Sequence, residues 1–274
     1  MITNDRKVLV TAGAGGIGRA IALAFLDAGY RVHVCDIDED ALDALATEAP
    51  DMVTAVADVA NPDAVEALFA TVAVTPGRFD VLVNNAGVAG PTAPVQEVET
   101  DAWRQTLAVN LDGAFHCARA AVPLLMDEGG SIVNIASNAA LFGFPNRLPS
   151  AVSKWGLIGF TKTLAMELGT AGIRVNALCP GSVSGPRIDG VIERDARERG
   201  LTVQAVRQEY TRQSSMRCFV DAEDIAAMTL FLASDAGAKI SGQAIAIDGH
   251  TEGLFQVSGE PDSQQVKNSS EEIQ

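Results

Sequence analysis

The sequence predicts an α/β fold in which a doubly wound parallel sheet carries helices on both faces. Three observations predict it. Short β-branched runs alternate with longer amphipathic stretches along most of the chain, and strand, helix, strand in repetition builds parallel sheets. The strand runs are apolar at nearly every position rather than at every second one, as strands covered on both sides must be. Of the 274 residues, 47% are hydrophobic and 20% charged, which supports a large core and excludes wholesale disorder.

The elements follow in order. A first strand, Lys7–Val10, ends at Thr11 and runs into Ala12-Gly13-Ala14-Gly15-Gly16-Ile17-Gly18-Arg19 and a helix over 17–28. Glycines there let the backbone turn tightly and approach a pyrophosphate, which sits on the helix N-terminus. The second strand, Arg31–Cys35, closes on Asp36, eighteen residues after Gly18. A carboxylate at that point accepts hydrogen bonds from both adenosine ribose hydroxyls and repels a 2′-phosphate. The residues that follow, Ile37, Asp38, Glu39 and Asp40, include no Arg or Lys, so NAD is expected in preference to NADP. The competing use of Asp36, capping the helix over 39–48, can be filled by Asp38 alone. The third strand, Met52–Val56, leads to Asp58, placed to meet the adenine amino group. A helix over 62–73, strand Val81–Val83, a helix over 99–127, strand Ser131–Ile135, a helix over 151–170, strand Arg174–Ala177, a helix over 221–233 and strand Ala244–Ile247 complete the pattern.

Two segments break the rhythm. Residues 184–216 have no strand pattern and carry Arg187, Arg194, Arg197, Arg199, Arg207 and Arg212, with Arg217 just beyond. Against them stand Asp189, Glu193, Asp195, Glu198 and Glu209, a local balance of +2 in a chain of −15. Residues 255–274 are rich in Ser, Gln and Glu and show no periodicity. They are expected to form a disordered tail, leaving 1–254 as one domain.

Composition also excludes whole function classes. A net charge of −15 repels phosphate backbones and disfavours nucleic acid as the main partner. No apolar run approaches the ~18 residues of a membrane span, and the N-terminus has no signal-peptide pattern. The cysteines, Cys35, Cys117, Cys179 and Cys218, are far apart and fit no metal spacing. Reduced buried thiols in a cytoplasmic protein without a metal are expected.

Several spaced motifs narrow the reading: the glycine loop, Asp58-Val59, Asn84-Asn85-Ala86-Gly87, Asn110 within Val109-Asn110-Leu111, Ser131 to Ser137, Lys154, and Cys179-Pro180-Gly181. On these the chain resembles the short-chain dehydrogenase/reductase family over about residues 5–250. The resemblance implies a single Rossmann domain with a seven-stranded parallel sheet and NAD(P)-dependent interconversion of a small alcohol and a ketone. It implies that Ala12, Gly13, Gly16, Ile17, Gly18, Asp36, Asp58, Val59, Asn85, Lys154, Pro180, Gly181 and Val183 meet the cofactor. By the same resemblance Ser137 bonds the substrate oxygen, Asn110 anchors a water in a proton relay to Lys154, and residues 184–216 form the substrate lid. The helices over 99–127 and around Lys154 pair across subunits in the family, so a homodimer or homotetramer is expected.

Two positions depart from the family pattern. Ala12 stands at the first glycine of the loop, a change that costs little unless φ must be positive, so cofactor binding is expected to survive. The catalytic Tyr-x-x-x-Lys reads Ser150-Ala151-Val152-Ser153-Lys154, with Ser150 thirteen residues after Ser137. An aliphatic hydroxyl is a far weaker acid than a phenol and falls short of its reach. General acid–base catalysis contributes about 10²–10⁴-fold, and turnover is expected to fall by that factor or more. The tyrosines present are Tyr30, read as lying on the adenosine side, and Tyr210, in the charged segment. Three explanations of Ser150 stand: an introduced Tyr→Ser change, a natural dinucleotide-binding protein without turnover and with a sensing or assembly role, or a natural enzyme with another relay. The intact Ser137, Asn110 and Lys154 favour the first.

For the substrate, Asn138, Arg147, Arg187 and Arg212 could bind a carboxylate, since a guanidinium presents two parallel donors. The alternative is a solvated helix whose arginines pair with its own Glu193, Asp195 and Glu198. Leu141, Phe142 and Phe144 would suit an uncharged ring or chain equally well.

Overall fold

The computed structural model describes residues 5–251 and 253, without the Glu198 side chain. Strands β1 (Arg6–Thr11), β2 (Arg31–Asp36), β3 (Val53–Val56), β4 (Arg78–Asn84), β5 (Gly130–Ile135), β6 (Ile173–Pro180) and β7 (Ala244–Ile247) form one sheet in the order β3-β2-β1-β4-β5-β6-β7. Every pairing is parallel. This is the doubly wound Rossmann arrangement that the sequence predicts. The chain winds outward in both directions from β1, so a crevice opens beyond the carboxyl ends of β1 and β4.

Alternation along each strand explains the uniform apolarity. Val8, Val10, Val32, Val34, Val81 and Val83 face α1 (Gly16–Asp27), α2 (Glu39–Glu48) and α9 (Ala222–Ala233), packing on Ile21, Phe25, Leu45 and Ile225. Leu9, Cys35, Leu82, Ile132 and Val175 face the other way, onto α3 (Pro62–Val74), α5 (Gly113–Leu125) and α6 (Leu148–Leu168). Neither face can be polar, since burial of an unpaired polar group costs free energy on both sides.

Three expectations are corrected. The helix read over 99–127 is α4 (Thr100–Leu107), a π turn at Ala108–Asp112, and α5. Helix α6 begins three residues earlier than expected, at Leu148, with Pro149 in its first turn. The charged segment is two helices, α7 (Pro186–Arg199) and α8 (Val203–Arg212), closed on each other by Ile192, Ala196 and Val206. The predicted tail, 255–274, lies outside the described residues. No helix among the described residues is long and apolar enough to cross a membrane.

Candidate active site

Strand β1 delivers Thr11 to the crevice, and Thr11 organises its floor. Its Oγ1 accepts the N–H groups of Asn85 and Ala86, each at 3.0 Å. The Asn85 side-chain amide donates to the carbonyls of Thr11 and Ala12, each at 3.0 Å. Gly13 donates its N–H to Cys35 O at 3.1 Å, and Ala14 donates to Asp36 Oδ2 at 3.2 Å. The loop is thereby tied to both β2 and β4. Two glycines are there for packing: a Cβ on Gly13 would stand 2.8 Å from Val34 Cγ1, and one on Gly18 would stand 2.2 Å from Ala12 O.

Gly15 and Gly16 behave differently, since a Cβ on either would meet nothing within 4 Å. They border open space at the head of α1, with Ile17 in its first turn. That helix has no side-chain cap and no acidic residue in its first turn, so its leading N–H groups remain available to an anion. The loop therefore fits a pyrophosphate. Ala12 meets the condition under which its methyl matters: its φ is +49°, in the left-handed region, so the expectation that this alanine costs little is corrected.

Asp38 caps α2 by accepting the Ala41 N–H at 3.0 Å, which leaves Asp36 free of that task. Asp36 accepts the N–H of Ile37 at 2.8 Å and ends β2 beside the loop. Asp58 is exposed and accepts the Ala60 N–H at 2.9 Å. The Val59 side chain turns into the core against Gly113, and its carbonyl meets His116 Nδ1 at 3.0 Å; only its backbone is left for a ligand. Across the sheet, Gly181 donates to Ile247 O at 2.9 Å and lies against Asp248, where a Cβ would meet it at 2.7 Å. Val183, just past Pro180, bridges to Val220.

The second half of the site is assembled on α6. A buried ladder seats this helix: Asn84 Nδ2 donates to Asn134 Oδ1 at 2.8 Å, and Asn134 Nδ2 donates to Thr161 Oγ1 at 2.9 Å. Lys154 is buried one turn from Ser150 on the same face. Its Nζ donates to Ile135 O at 2.8 Å. Burial, reinforced by the Arg187 charge and opposed by Cys179, brings its ammonium down to a pKa of about 8.

The π turn carries Asn110, as π bulges often carry functional residues. Asn110 Oδ1 accepts the Val88 N–H at 2.7 Å, while Nδ2 donates to Val88 O at 3.0 Å and to Ser153 Oγ at 2.9 Å. Ser153 Oγ in turn donates to Ser150 O at 2.8 Å. This serine, buried beside Lys154, was not singled out from the sequence; it ties Asn110 to the backbone of residue 150. Gly87 lies where the groups converge, since a Cβ there would be 3.2 Å from Lys154 Nζ and 3.3 Å from Asn110 Oδ1. Ser137, two residues past the end of β5, caps the short turn Asn138–Ala140 by accepting the Ala139 N–H at 3.1 Å and donates to Asn138 Oδ1 at 3.4 Å. The Ser150 hydroxyl makes no hydrogen bond among the described residues.

The predicted substrate residues divide. Arg147, immediately before α6, donates to Thr92 Oγ1 at 2.5 Å and stacks over the Phe144 ring at 6.0 Å. Its pKa is lowered by burial and by the charge of Arg187, and is favoured by Tyr210. Arg187 thus bears on both Arg147 and Lys154. Arg212 is not joined to them by any interaction among the described residues; with Gln208, Thr211 and Arg217 it lines an open hollow of about 560 Å³. Of the lid arginines, Arg199 pairs with Asp195 at 3.2 Å and Glu209 at 2.8 Å, and Arg207 pairs with Asp189. The expected pairing of Asp195 is found, whereas Glu193 forms no ion pair among the described residues and the Glu198 side chain lies outside them.

Two smaller expectations are corrected. Tyr30 stands before the amino end of β2, buried edge-on against Phe25 at 4.9 Å, and so at the opposite end of that strand from Asp36. Cys35, Cys117 and Cys179 are buried, but Cys218 is exposed. No cluster suited to a metal ion occurs among the described residues.

Comparison with known proteins agrees with this geometry. The family model described as enoyl-(acyl carrier protein) reductase matches residues 12–250. The short chain dehydrogenase/reductase dpchG of Colletotrichum higginsianum is 38% identical over 251 residues, covering 89% of this chain and 92% of that protein. The structure of actinorhodin polyketide ketoreductase with NADPH superposes with a TM-score of 0.84 at 32% identity, covering 89% of this chain and 96% of the other. NAD+-bound xylitol dehydrogenase gives 0.83 at 30% identity, covering 90% and 99%. Over its sheet, its glycine loop and its Lys154 helix alike, the chain belongs to the short-chain dehydrogenase/reductase family and is an oxidoreductase by that membership.

Proposed function

We propose that the protein is a cytoplasmic, NAD-linked oxidoreductase that interconverts a secondary alcohol and a ketone, with turnover suppressed by Ser150. The observation that supports this reading is the meeting of Lys154 Nζ and Asn110 Oδ1 beside Gly87, with Ser153 joining Asn110 to the backbone of residue 150. The bound nicotinamide would supply the hydride acceptor or donor. Ala12 to Gly18, with α1, would hold its pyrophosphate. Asp36 would take the adenosine ribose, and its charge supports NAD rather than NADP. Asp58, Val59, Asn85, Pro180, Gly181 and Val183 would frame the rest, and Lys154 would hold the nicotinamide ribose.

The chain's own residues then perform two tasks. Ser137 orients the reacting oxygen. Lys154, positively charged and desolvated, favours removal of the hydroxyl proton. What this set lacks is a group to take that proton directly. Ser150 has neither the acidity nor the length, and its neighbours are otherwise complete, which supports reading it as a single introduced Tyr→Ser replacement.

The test is Ser150→Tyr beside the unaltered chain, following NAD reduction at 340 nm on a panel of secondary alcohols and hydroxy acids. Turnover is expected to rise by about 10²–10⁴-fold in the tyrosine form. One observation, the missing phenol, favours a second reading: a dinucleotide-binding protein that senses or assembles without turnover. Under it the tyrosine form binds NAD and stays silent. Equal turnover by both forms would overturn the role given to residue 150.

A further inference from the structure

The turn from β3 into α3 is held at several points. Its near end is fixed against β2, where the Ala57 N–H donates to Asp36 O at 2.9 Å. Asp58 closes the turn on itself: its Oδ1 accepts the Ala60 N–H at 2.9 Å and its carbonyl accepts the Asn61 N–H at 3.0 Å. Asn61 is spent on capping α3. Between these anchors stands Val59.

Helix α5 supplies the hold on Val59. Gly113 and His116 are three residues apart and so share one face of that helix. At Gly113 the helix comes so close that a Cβ would be 2.6 Å from Val59 Cγ2. One turn on, His116 Nδ1 lies 3.0 Å from Val59 O. A carbonyl oxygen only accepts, so the hydrogen sits on Nδ1 and the imidazole donates. This is the one side-chain hydrogen bond that His116 makes among the described residues. Its ring is half-buried and lies 5.6 Å from that of Phe115, which limits its swing.

The turn so held has groups left over. Val59 is only 6% exposed, yet its N–H has no acceptor among the described residues. Asp58 is exposed, and its Oδ2 accepts no hydrogen bond among the described residues. A buried donor left unpaired is costly. A free donor on one residue and a free acceptor on the next match the edge of adenine, whose N1 accepts and whose 6-amino group donates.

We propose that His116 is a positioning residue for the adenine of the dinucleotide. By holding the Val59 carbonyl it fixes the Asp58–Val59 turn against α5, and so sets how strongly adenine is preferred to other bases. This rests on the dinucleotide-linked reading above and adds a residue, remote from the reaction, that the reading does not use. His116 itself touches no part of the ligand; it acts through the backbone of Val59.

The experiment is a calorimetric titration of the unaltered chain, His116→Phe, His116→Asn and Gly113→Ala with three probes. These are NAD, the dinucleotide carrying hypoxanthine in place of adenine, and AMP. Hypoxanthine presents a 6-oxo group to Asp58 and an N1–H to the Val59 N–H, so both matches are lost. The unaltered chain is expected to bind NAD at least about tenfold more tightly than the hypoxanthine form. His116→Phe keeps a ring in place without the donor. It is expected to weaken NAD and AMP by about three- to tenfold and the hypoxanthine form less, so the preference narrows. His116→Asn keeps a donor near the Nδ1 position and is expected to restore most of the preference. Gly113→Ala, with His116 intact, is expected to narrow it as well, because the methyl displaces Val59. The ratio of the two dinucleotides does not depend on how much of a sample is folded. An unchanged ratio in His116→Phe, an unaffected AMP, or a His116→Asn form no better than His116→Phe would each overturn the inference. An unaltered chain that binds NAD without preferring adenine would overturn the role of the turn while leaving the oxidoreductase reading in place. Failure to bind NAD at all would overturn that reading itself.

Discussion

Ala12 places a methyl where the backbone is at φ +49°. There Cβ crowds the following carbonyl, a strain of roughly 1–2 kcal/mol that glycine avoids. Glycine in turn loses more freedom on folding, about 0.5–1 kcal/mol. Ala12→Gly is therefore expected to stabilise the chain by roughly 0.5–1 kcal/mol, read as a higher urea midpoint at unchanged slope. No gain would mean that the loop relaxes around the methyl. Residue-scale chemistry was unevenly legible in the sequence. The gap at Ser150 shows at once, because the serine and lysine that bracket it set the count. The strain at Ala12 does not, because φ is a property of the turn. Ser153 had no signal either: a serine beside a lysine in a helix is ordinary until Asn110 is brought against it.

In β2, His33 points into the face built from Leu9, Cys35 and Leu82, and it is 1% exposed. Burial, with the charges of Lys7 and Arg31, pushes its imidazole down to a pKa of about 4. The folded chain thus holds His33 neutral while the unfolded chain takes up a proton below about 6.5. Between those values the unfolded state binds more protons, so stability falls as pH falls and is flat above pH 7. The loss should reach roughly 2–3 kcal/mol near pH 4. His33→Leu, compared with the unaltered chain by chemical denaturation from pH 7.5 to 4.5, should remove that share of the slope; parallel curves would show that His33 does not carry it. Most elements were readable because β-branched runs and amphipathic stretches differ in period. The π turn at Ala108–Asp112 was not, since five residues are too few to show a changed period. Helices α7 and α8 were hidden by their charge, although Ile188, Ile192 and Ala196 recur every four residues along the inner face of α7.

At the scale of the whole molecule, the sheet order could be anticipated because parallel strands covered on both faces admit few arrangements. What the sequence left open was which way Trp155 faces. It is 51% exposed, and it is not alone. Leu148, Val152, Trp155 and Met166 are all exposed on α6, at spacings that set them along one side of the helix. Phe115 on α5 is exposed as well. A monomer rarely leaves so many large apolar side chains along one side of a helix in water. The expected state is a homodimer or homotetramer in which this stripe packs against the same stripe of a second copy, as two-fold symmetry permits. Light scattering during gel filtration should give a mass of two or four chains. Val152→Lys combined with Met166→Lys should shift it to one, because two charges on a desolvated stripe repel their own copies across the axis. The exposed indole adds a second readout: Trp155 emission should shift to the red as the assembly is diluted or charged apart. A single-chain mass for the unaltered protein, with emission independent of concentration, would show that the stripe faces water.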